Sequence, residues 1–443
     1  APFLAKHPEI AWLDAVLPDI NGIPRGKRLS AGSLRKLFKT GLLLPTSLIV
    51  SSYEGETVEE TGYGLATGDV DSVCRPIAET LSPTLWSNPP AGQVLLAMEM
   101  PEGGAVPMDP RATLARVVQD LADDGYTATV AIELECYLID RERAPDGGPL
   151  PPRPPNGGPR LASSQLYGLE DLETFSGVLD GIARASDAMG VAITTAISEY
   201  GPGQIEINLP HLPDPIAACD QAILFKRAVR GVARKAGIDA TFMAKPYADK
   251  AGSGMHVHVS LSDRNGTAIF ADPASSCPEL LRHAIGGVLE LMEPSLALFV
   301  PNLNGFRRLR PNSFAPIGAN WGIDNRTVSV RVPNSDPANR RLEHRLASAD
   351  ANPYLAMAAI LAGIRHGLAH GIDPGPVTEG DAYSSDRETD WDSWALALHR
   401  LNRSQTLRAA LGEKQINAYL TVKQHERRLH LGSIAPTDYR WHL

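Results

Sequence analysis

Cysteine is scarce. Cys74, Cys136, Cys219 and Cys277 are the only four in 443 residues, and no two form a C-x-x-C pair. The chain therefore offers neither a disulfide framework nor a zinc knuckle, and a reducing compartment is expected. Long apolar runs are missing as well. The longest, from Tyr354 to Ile360 and just beyond, falls far short of the roughly 18 residues a bilayer span requires. The opening segment APFLAKHPEIAWLD has no basic start followed by an apolar stretch, so it does not read as a secretory leader, and a cytoplasmic location is expected. Basic charge is in deficit: 42 Lys plus Arg stand against 51 Asp plus Glu, a net −9, with a pI near 5.8. A nucleic-acid binder needs cationic surface to displace phosphate counterions. Neither nucleic acid nor a membrane is expected as a partner, and any polyanion must meet a local cluster of Arg. Internal repeats and heptads are absent. With 43% hydrophobic and 21% charged residues, the remainder is an ordinary globular chain long enough for two or three domains.

Turn and cap signals divide the chain. Ile10–Leu17 followed by Asp19-Ile20-Asn21-Gly22 reads as a hairpin, because Asn-Gly supplies the positive φ of a tight turn. Ser47–Tyr53 reads as another strand, which makes the first hundred residues β-rich. Asp109-Pro110 opens a helix whose apolar face is Leu114, Val117, Val118 and Leu121, closed by Gly125. A domain boundary is placed near residue 105. Residues 127–139 read as a buried strand. Residues 143–166 are too rich in Pro and Gly for a regular element and read as a long surface loop. Helices are expected over 172–189, 215–235 and 353–370, and the tail after Asp392 is mostly helical.

The informative pattern lies in strand-like segments whose alternate residues are charged. Glu133 and Glu135 are two apart in AIELECYLI. Glu199 precedes a Gly-Pro-Gly turn, after which Gln204, Glu206 and Asn208 fall in step. His256, His258 and Ser260 alternate with Met255, Val257 and Val259, and Arg341, Glu343 and Arg345 alternate in RRLEHRL. A strand has period two, so each set occupies one face. One such face alone is explained by solvent. The set is not, because Glu recurs with His and Arg and without Lys. A cleft that gathers so many carboxylates must hold cations, or the charges force one another to protonate. Oxygen and imidazole donors without thiolate suit Mg²⁺ or Mn²⁺, and the Arg residues suit phosphate and carboxylate. Together they describe phosphoryl transfer from a nucleotide. The common nucleotide and hydrolase motifs are missing. Gly22–Lys27 is one residue short of a P-loop and is followed by Arg28, Gly201-Pro202-Gly203 is too short for a dinucleotide fingerprint, and there is neither an H-E-x-x-H nor a G-x-S-x-G.

In this order the segments resemble the glutamine synthetase family over roughly residues 105–370. The resemblance is carried by Glu133-Leu134-Glu135, Glu199 with Gly203-Gln204-Ile205-Glu206, Lys245-Pro246, Gly252-Ser253-Gly254-Met255-His256-Val257-His258, Asn304 through Arg308-Leu309, Asn325-Arg326 with Arg331, and Arg341 through Arg345 leading to Asn352-Pro353. Fainter support comes from Asp19–Gly22 and Arg25–Lys27. The resemblance implies an α+β chain: a β-grasp domain over residues 1–105, then a catalytic domain over residues 106–443 with a curved antiparallel sheet flanked by helices. It also implies a homo-oligomer, commonly a dodecamer of two hexameric rings that share sites between neighbours. One metal would be held by Glu135, Glu199 and Glu206, and a second by Glu133, His256 and Glu343, so two or more Mg²⁺ or Mn²⁺ per site. Arg308 and Arg345, with Gly252 and Glu135, would meet substrate glutamate. Arg326 and Arg341 would neutralise the transferring phosphate. His258, Ser260 and Arg331 would line the ATP side. The implied chemistry activates glutamate as an acyl phosphate and then forms an amide.

The pattern departs from glutamine synthesis at the ammonium site, where the family places two carboxylates. The flap position after Asn304–Arg308 is Phe314, and the position contributed by a neighbour's small domain falls at Ser52, close to Gly55-Glu56-Thr57-Val58-Glu59. Carboxylates concentrate ammonium and take its proton. Phe314 offers an apolar surface instead, which suits an organic amine, and the loss of both anions favours a monoamine over a polyamine. The expectation is an ATP-dependent glutamate–amine ligase resembling the γ-glutamylpolyamine and γ-glutamylamine synthetase branch. A polyamine substrate, glutamine synthesis and a non-catalytic ring protein stand as alternatives. Ala251 replaces the family's Asn or Asp before Gly-Ser-Gly-Met-His.

Overall fold

The computed structural model describes residues 2–100, 102–384 and 391–435; the expected helical tail is described as far as residue 435. The first hundred residues carry a six-stranded mixed sheet: β1 (Trp12–Pro18), β2 (Pro24–Ser30), β3 (Leu42–Pro45), β4 (Asp71–Pro76), β5 (Ser82–Thr84) and β6 (Ala91–Glu99). Its order is β2-β1-β6-β4-β3, with β5 also on β6 and with β1 and β6 parallel. The β1–β2 hairpin forms as read from Asn-Gly. The Asp19 carboxylate accepts from the backbone N–H of Asn21 (2.9 Å) and Ile23 (2.8 Å), and Gly22 takes φ +72°. The expected strand at Ser47–Tyr53 does not form. Thr46–Val50 is a 3₁₀ turn instead, which buries Ser47, Ile49 and Val50.

The second sheet is built from β7 (Tyr126–Ile139), β8 (Thr195–Ser198), β9 (Gln204–Asn208), β10 (Asp239–Thr241), β11 (Met255–Asp263), β12 (Trp321–Ile323), β13 (Val330–Val332) and β14 (Leu342–His344). Its order is β12-β13-β14-β11-β7-β9-β8, with β10 on β7. All pairings are antiparallel except β12 with β13. One face packs on helices through Ile132, Leu134, Met255, Val257 and Leu342, all buried. Asp109 caps the helix Pro110–Asp123 through the Arg111 and Ala112 amides, and Pro110 takes its first position. Pro215–Lys235 and Pro353–His370 form with the bounds read from their Asp-Pro and Asn-Pro caps. The latter is buried almost throughout and packs against Glu279–Glu290. A Cβ on Gly287 would lie 2.1 Å from the Gly363 carbonyl oxygen, so glycine sets that close approach. The expected helix at 172–189 is two helices, Leu169–Thr174 and Ser176–Ala188. Phe175 breaks them at φ −109°, ψ 19°, with its ring turned into the core. The Pro/Gly-rich stretch at 143–166 contains no helix or strand, as expected.

Polar groups tie the two sheets together. Asn352 donates to the Asp19 and Ile20 carbonyls (3.2 and 3.1 Å), and Asp14 accepts from Arg227 at 3.0 Å. No helix among the described residues is long and apolar enough to cross a membrane.

Candidate active site

The register of the second sheet assembles the site. Across β7 and β11, Glu133 stands opposite His256; across β7 and β9, Glu135 stands opposite Glu206 and Glu133 opposite Asn208. Across β11 and β14, His258 stands opposite Glu343, which faces Arg331 on β13. One sheet face thus collects side chains from five strands, and the polar alternation read from the sequence is a cleft wall.

Glu133 sits at the centre. Its carboxylate meets His258 Nε2 at 2.7 Å, His256 Nδ1 at 3.2 Å and the Asn208 amide at 2.8 Å. Burial pushes its pKa up, but the two imidazoles hold it well below the usual range. Glu343 balances the same way: burial opposes ionisation, yet Arg345 and the two His residues bring it down to about 2. Glu199 and Glu206 show the reverse. Burial and the charge of Glu135 raise Glu199 to about 7, and burial with the charges of Glu133, Glu135 and Glu199 raises Glu206 further. Carboxylates crowded enough to repel their own ionisation form a cation site. Two sets of ligand atoms lie within 4.8 Å of one another: Glu133, Glu206 and His256, and Glu133, His258 and Glu343. These sets regroup the two triads that the resemblance implied. Glu133 belongs to both, and His258, expected on the nucleotide side, stands among the possible ligands. Glu135 and Glu199 border the same cleft, and the donor set of oxygens and imidazoles fits one or more hard divalent ions.

A cleft of about 170 Å³ brings together most of the predicted residues: Glu135, Glu199, Glu206 and His256 with Gly252, Arg308, Arg326 and Arg345. Arg308 is buried and donates to the Leu346 carbonyl at 2.9 Å and the Arg345 carbonyl at 3.3 Å. Gly252 must be glycine here, since a Cβ would lie 2.6 Å from the Arg308 side chain and 2.7 Å from the Ala244 carbonyl oxygen. Gln204 holds that glycine through its carbonyl at 2.9 Å. Arg345 pairs with Glu343, and its buried Nε has no partner. Arg331 bridges Glu343 at 2.9 Å and Asp324, and its Nε is likewise unpartnered. Arg341 reaches His258 Nδ1 at 3.1 Å. Ser260 lies further along β11, opposite Thr129, and is half-buried.

Phe314 borders the same cleft, exposed, with Tyr200 stacked on it at 5.8 Å between centroids and 13° between planes. Leu166 and Tyr167 border the cleft as well. Sequence reading missed Tyr200 and Leu166. The signal for Tyr200 was its place between Glu199 and the Gly-Pro-Gly turn, where a large ring has no core to enter. Ser52 is not brought to this cleft within one chain. It is fully buried, its hydroxyl accepts from the Glu56 amide, and it belongs to a separate cleft with Tyr53 and Glu54. His344, on the opposite sheet face, packs its ring 4.3 Å from Phe299, and burial lowers its pKa to about 3.

Carboxylates and imidazoles that could hold a metal ion, with Arg308, Arg326 and Arg345 bordering the same cleft, define a class of site suited to anions and divalent ions. The matching family model, glutamine synthetase catalytic domain, spans residues 107–442, and the chain belongs to that family. It is 38% identical over 447 residues to gamma-glutamylputrescine synthetase of Escherichia coli (strain K12), covering 100% of this chain and 93% of that protein. It is 32% identical to glutamate–isopropylamine ligase of a Pseudomonas species, over 86% of this chain and 83% of that one. Gamma-glutamylethanolamide synthetase of Streptomyces coelicolor is 30% identical, over 95% and 90%. The fold superimposes on a solved structure described as apo GmaS without ligand, with a TM-score of 0.84 at 25% identity, covering 99% of this chain and 97% of that chain.

Proposed function

We propose that this protein joins the γ-carboxyl of glutamate to an organic amine, a hydrophobic monoamine, using ATP and passing through a γ-glutamyl phosphate. The observation that carries the reading is the make-up of one cleft, which joins Glu135, Glu199 and Glu206 with Arg308, Arg326 and Arg345 and is apolar at Phe314. Arg308 and Arg345, with the backbone at Gly252, orient glutamate beside Glu135. The ATP γ-phosphoryl group passes to a γ-carboxylate oxygen and ADP leaves. Arg326 and Arg341 balance the negative charge spread over the transferring group. His258, Ser260 and Arg331 serve the nucleotide side. Two or more Mg²⁺ or Mn²⁺, held among Glu133, Glu135, Glu199, Glu206, His256 and Glu343, would screen the phosphates when bound. The amine nitrogen then attacks the γ-carbon, phosphate departs with the C–O electron pair, and the nitrogen gives up a proton.

The same reading takes residues 1–105 as a β-grasp-like domain and residues 106–443 as the catalytic domain, in a homo-oligomer, a dodecamer of two hexameric rings. Ser52 would then serve a neighbour's amine site through its segment, since Tyr53 and Glu54 beside it are exposed. A diamine substrate is the second reading. It is favoured by the likeness to a gamma-glutamylputrescine synthetase and by an adjoining cleft, sharing Phe314 and Arg326, that Asp324 and Glu379 line. ADP release with glutamate, ATP and Mg²⁺ or Mn²⁺ against monoamines, putrescine and ammonium tests both. A monoamine as the best substrate supports the first reading, putrescine supports the second, and no release with any amine rejects the ligase.

A further inference from the structure

Five non-glycine residues among those described adopt positive φ, and two of them are aromatic: Tyr167 at +58° and Phe314 at +55°. Both border the reaction cleft. A bulky residue in that conformation costs free energy and persists only where surrounding structure holds it. The holding groups are visible. The Tyr167 amide donates to the Ser198 carbonyl at 2.9 Å, and Ser164 joins Ser198 and Asp171 at 3.0 Å, so the end of the Pro/Gly-rich loop is pinned to β8. On the other side, Ser313 donates to the Arg310 carbonyl, and the Tyr383 hydroxyl donates to the Ala315 carbonyl at 3.0 Å, fixing Phe314 between them. Two segments held at positive φ thus bring Tyr167 and Phe314 to the border of one cleft, and Tyr200, which borders it too, lies nearly parallel to Phe314.

All three rings are exposed in spite of their size: Tyr167 56%, Tyr200 49% and Phe314 46%. The pair at 5.8 Å is too close to admit another ring between its members, so it presents a flat outer face. A flexible alkyl chain gains only area from such a face, whereas a planar ring gains offset stacking as well and loses fewer rotors on binding.

We propose that Tyr200 is a specificity-determining residue, and that with Phe314 and Tyr167 it forms a flat aromatic wall selecting amines with an aromatic or planar substituent over open-chain amines of the same carbon number. This rests on the amine-ligase reading above and names the substrate class of that site. The test compares kcat/KM for 2-phenylethylamine with that for n-octylamine in the full-length enzyme, measured as ADP release with glutamate, ATP and Mg²⁺. Taking the ratio of two amines within one variant cancels any effect on metal, nucleotide or glutamate. The parent prefers the aryl amine. Tyr200→Leu, which keeps apolar bulk and removes the flat face, lowers the ratio about 3- to 10-fold, and Tyr200→Phe preserves it. An unchanged ratio in Tyr200→Leu, or a parent that prefers n-octylamine, overturns the proposal. If Tyr200→Leu is inactive with both amines, Tyr167→Leu is read instead, and an unchanged ratio there overturns it equally. Release with ammonium or putrescine but with neither C8 amine also overturns it while leaving a ligase. No amine-dependent release of any kind defeats the underlying reading.

Discussion

At the residue scale the site is a balance of like charges. Glu133 and Glu343 are kept ionised by His256, His258 and Arg345, and the cost of gathering further carboxylates appears at Glu199 and Glu206. For Glu199 the sign is definite. Its folded pKa of about 7 lies above the unfolded carboxylate value of 4.5, so the metal-free fold binds the extra proton between those limits. The stability this contributes is complete below about pH 4.5 and is lost as pH rises through 7. If Glu199 holds a divalent ion, as proposed, the ion would replace that proton. The rise in thermal midpoint on adding Mn²⁺ is therefore larger at pH 8 than at pH 6, and calorimetric titration in a weak buffer shows proton release on binding. A pH-independent shift contradicts this balance. Phe314 gives a second residue-scale test. If Phe314 borders the amine, as proposed, Phe314→Glu places an anion there and raises kcat/KM for ammonium or a diamine relative to a monoamine by about tenfold, since one well-placed charge contributes on the order of 1.4 kcal/mol. Equal loss with every amine would show that Phe314 does not choose among them.

At the element scale, period two did most of the work, because a strand with one packed face must place alternate residues together. That is why Glu133 with Glu135, and His256 with His258, could be read as one face before any pairing was known. What remained hidden was register. Nothing in the order of residues says that Glu135 meets Glu206 or that His258 meets Glu343, and those pairings decide how the donors divide into sets. Caps were equally legible. Asp109, Asp214 and Asn352 accept from the amides that Asp-Pro and Asn-Pro lead one to expect. Ser47–Tyr53 and Phe175 differ from the expectation, because an apolar run reads the same whether the backbone forms a strand or a 3₁₀ turn, and a helical period runs through a one-residue break. The loop before β11 carries its own test. Gly252→Ala forces a Cβ into Arg308 and the Ala244 carbonyl, a misfit of about 1–3 kcal/mol that moves the arginine. The apparent KM for glutamate rises by about tenfold or more while the KM for ATP changes little. An unchanged glutamate KM would remove Arg308 from the glutamate site.

At the scale of the whole molecule, the net charge of −9 conceals a division of labour. Glu135, Glu199 and Glu206 border one cleft, and so do Arg308, Arg326 and Arg345. The small sheet is joined to the rest through buried ionic contacts. Lys423, wholly buried on the helix Glu413–Gly432, donates to Glu426 at 2.9 Å and to Asn21 in the β1–β2 turn, and lies 4.5 Å from the Tyr53 ring centroid. Glu426 in turn accepts from Asn21 at 2.8 Å and from the Tyr53 amide at 3.0 Å. Lys423→Met leaves Glu426 buried without its cation, at a cost of about 3–5 kcal/mol. The urea midpoint falls accordingly, and limited proteolysis cuts first within the initial hundred residues. Unchanged resistance in both assays would mean that this junction does not hold the small sheet.

The bond that is made decides between a glutamate–amine ligase and its alternatives. Incubation of the full-length protein with glutamate, ATP, Mg²⁺ and an amine, followed by mass spectrometry of the products, reads it directly. The expected result is a species with the mass of glutamate plus amine minus water, formed one for one with ADP, and formed faster with a hydrophobic monoamine than glutamine is formed with ammonium. ADP release without a condensed product, or glutamine as the better product, would contradict it.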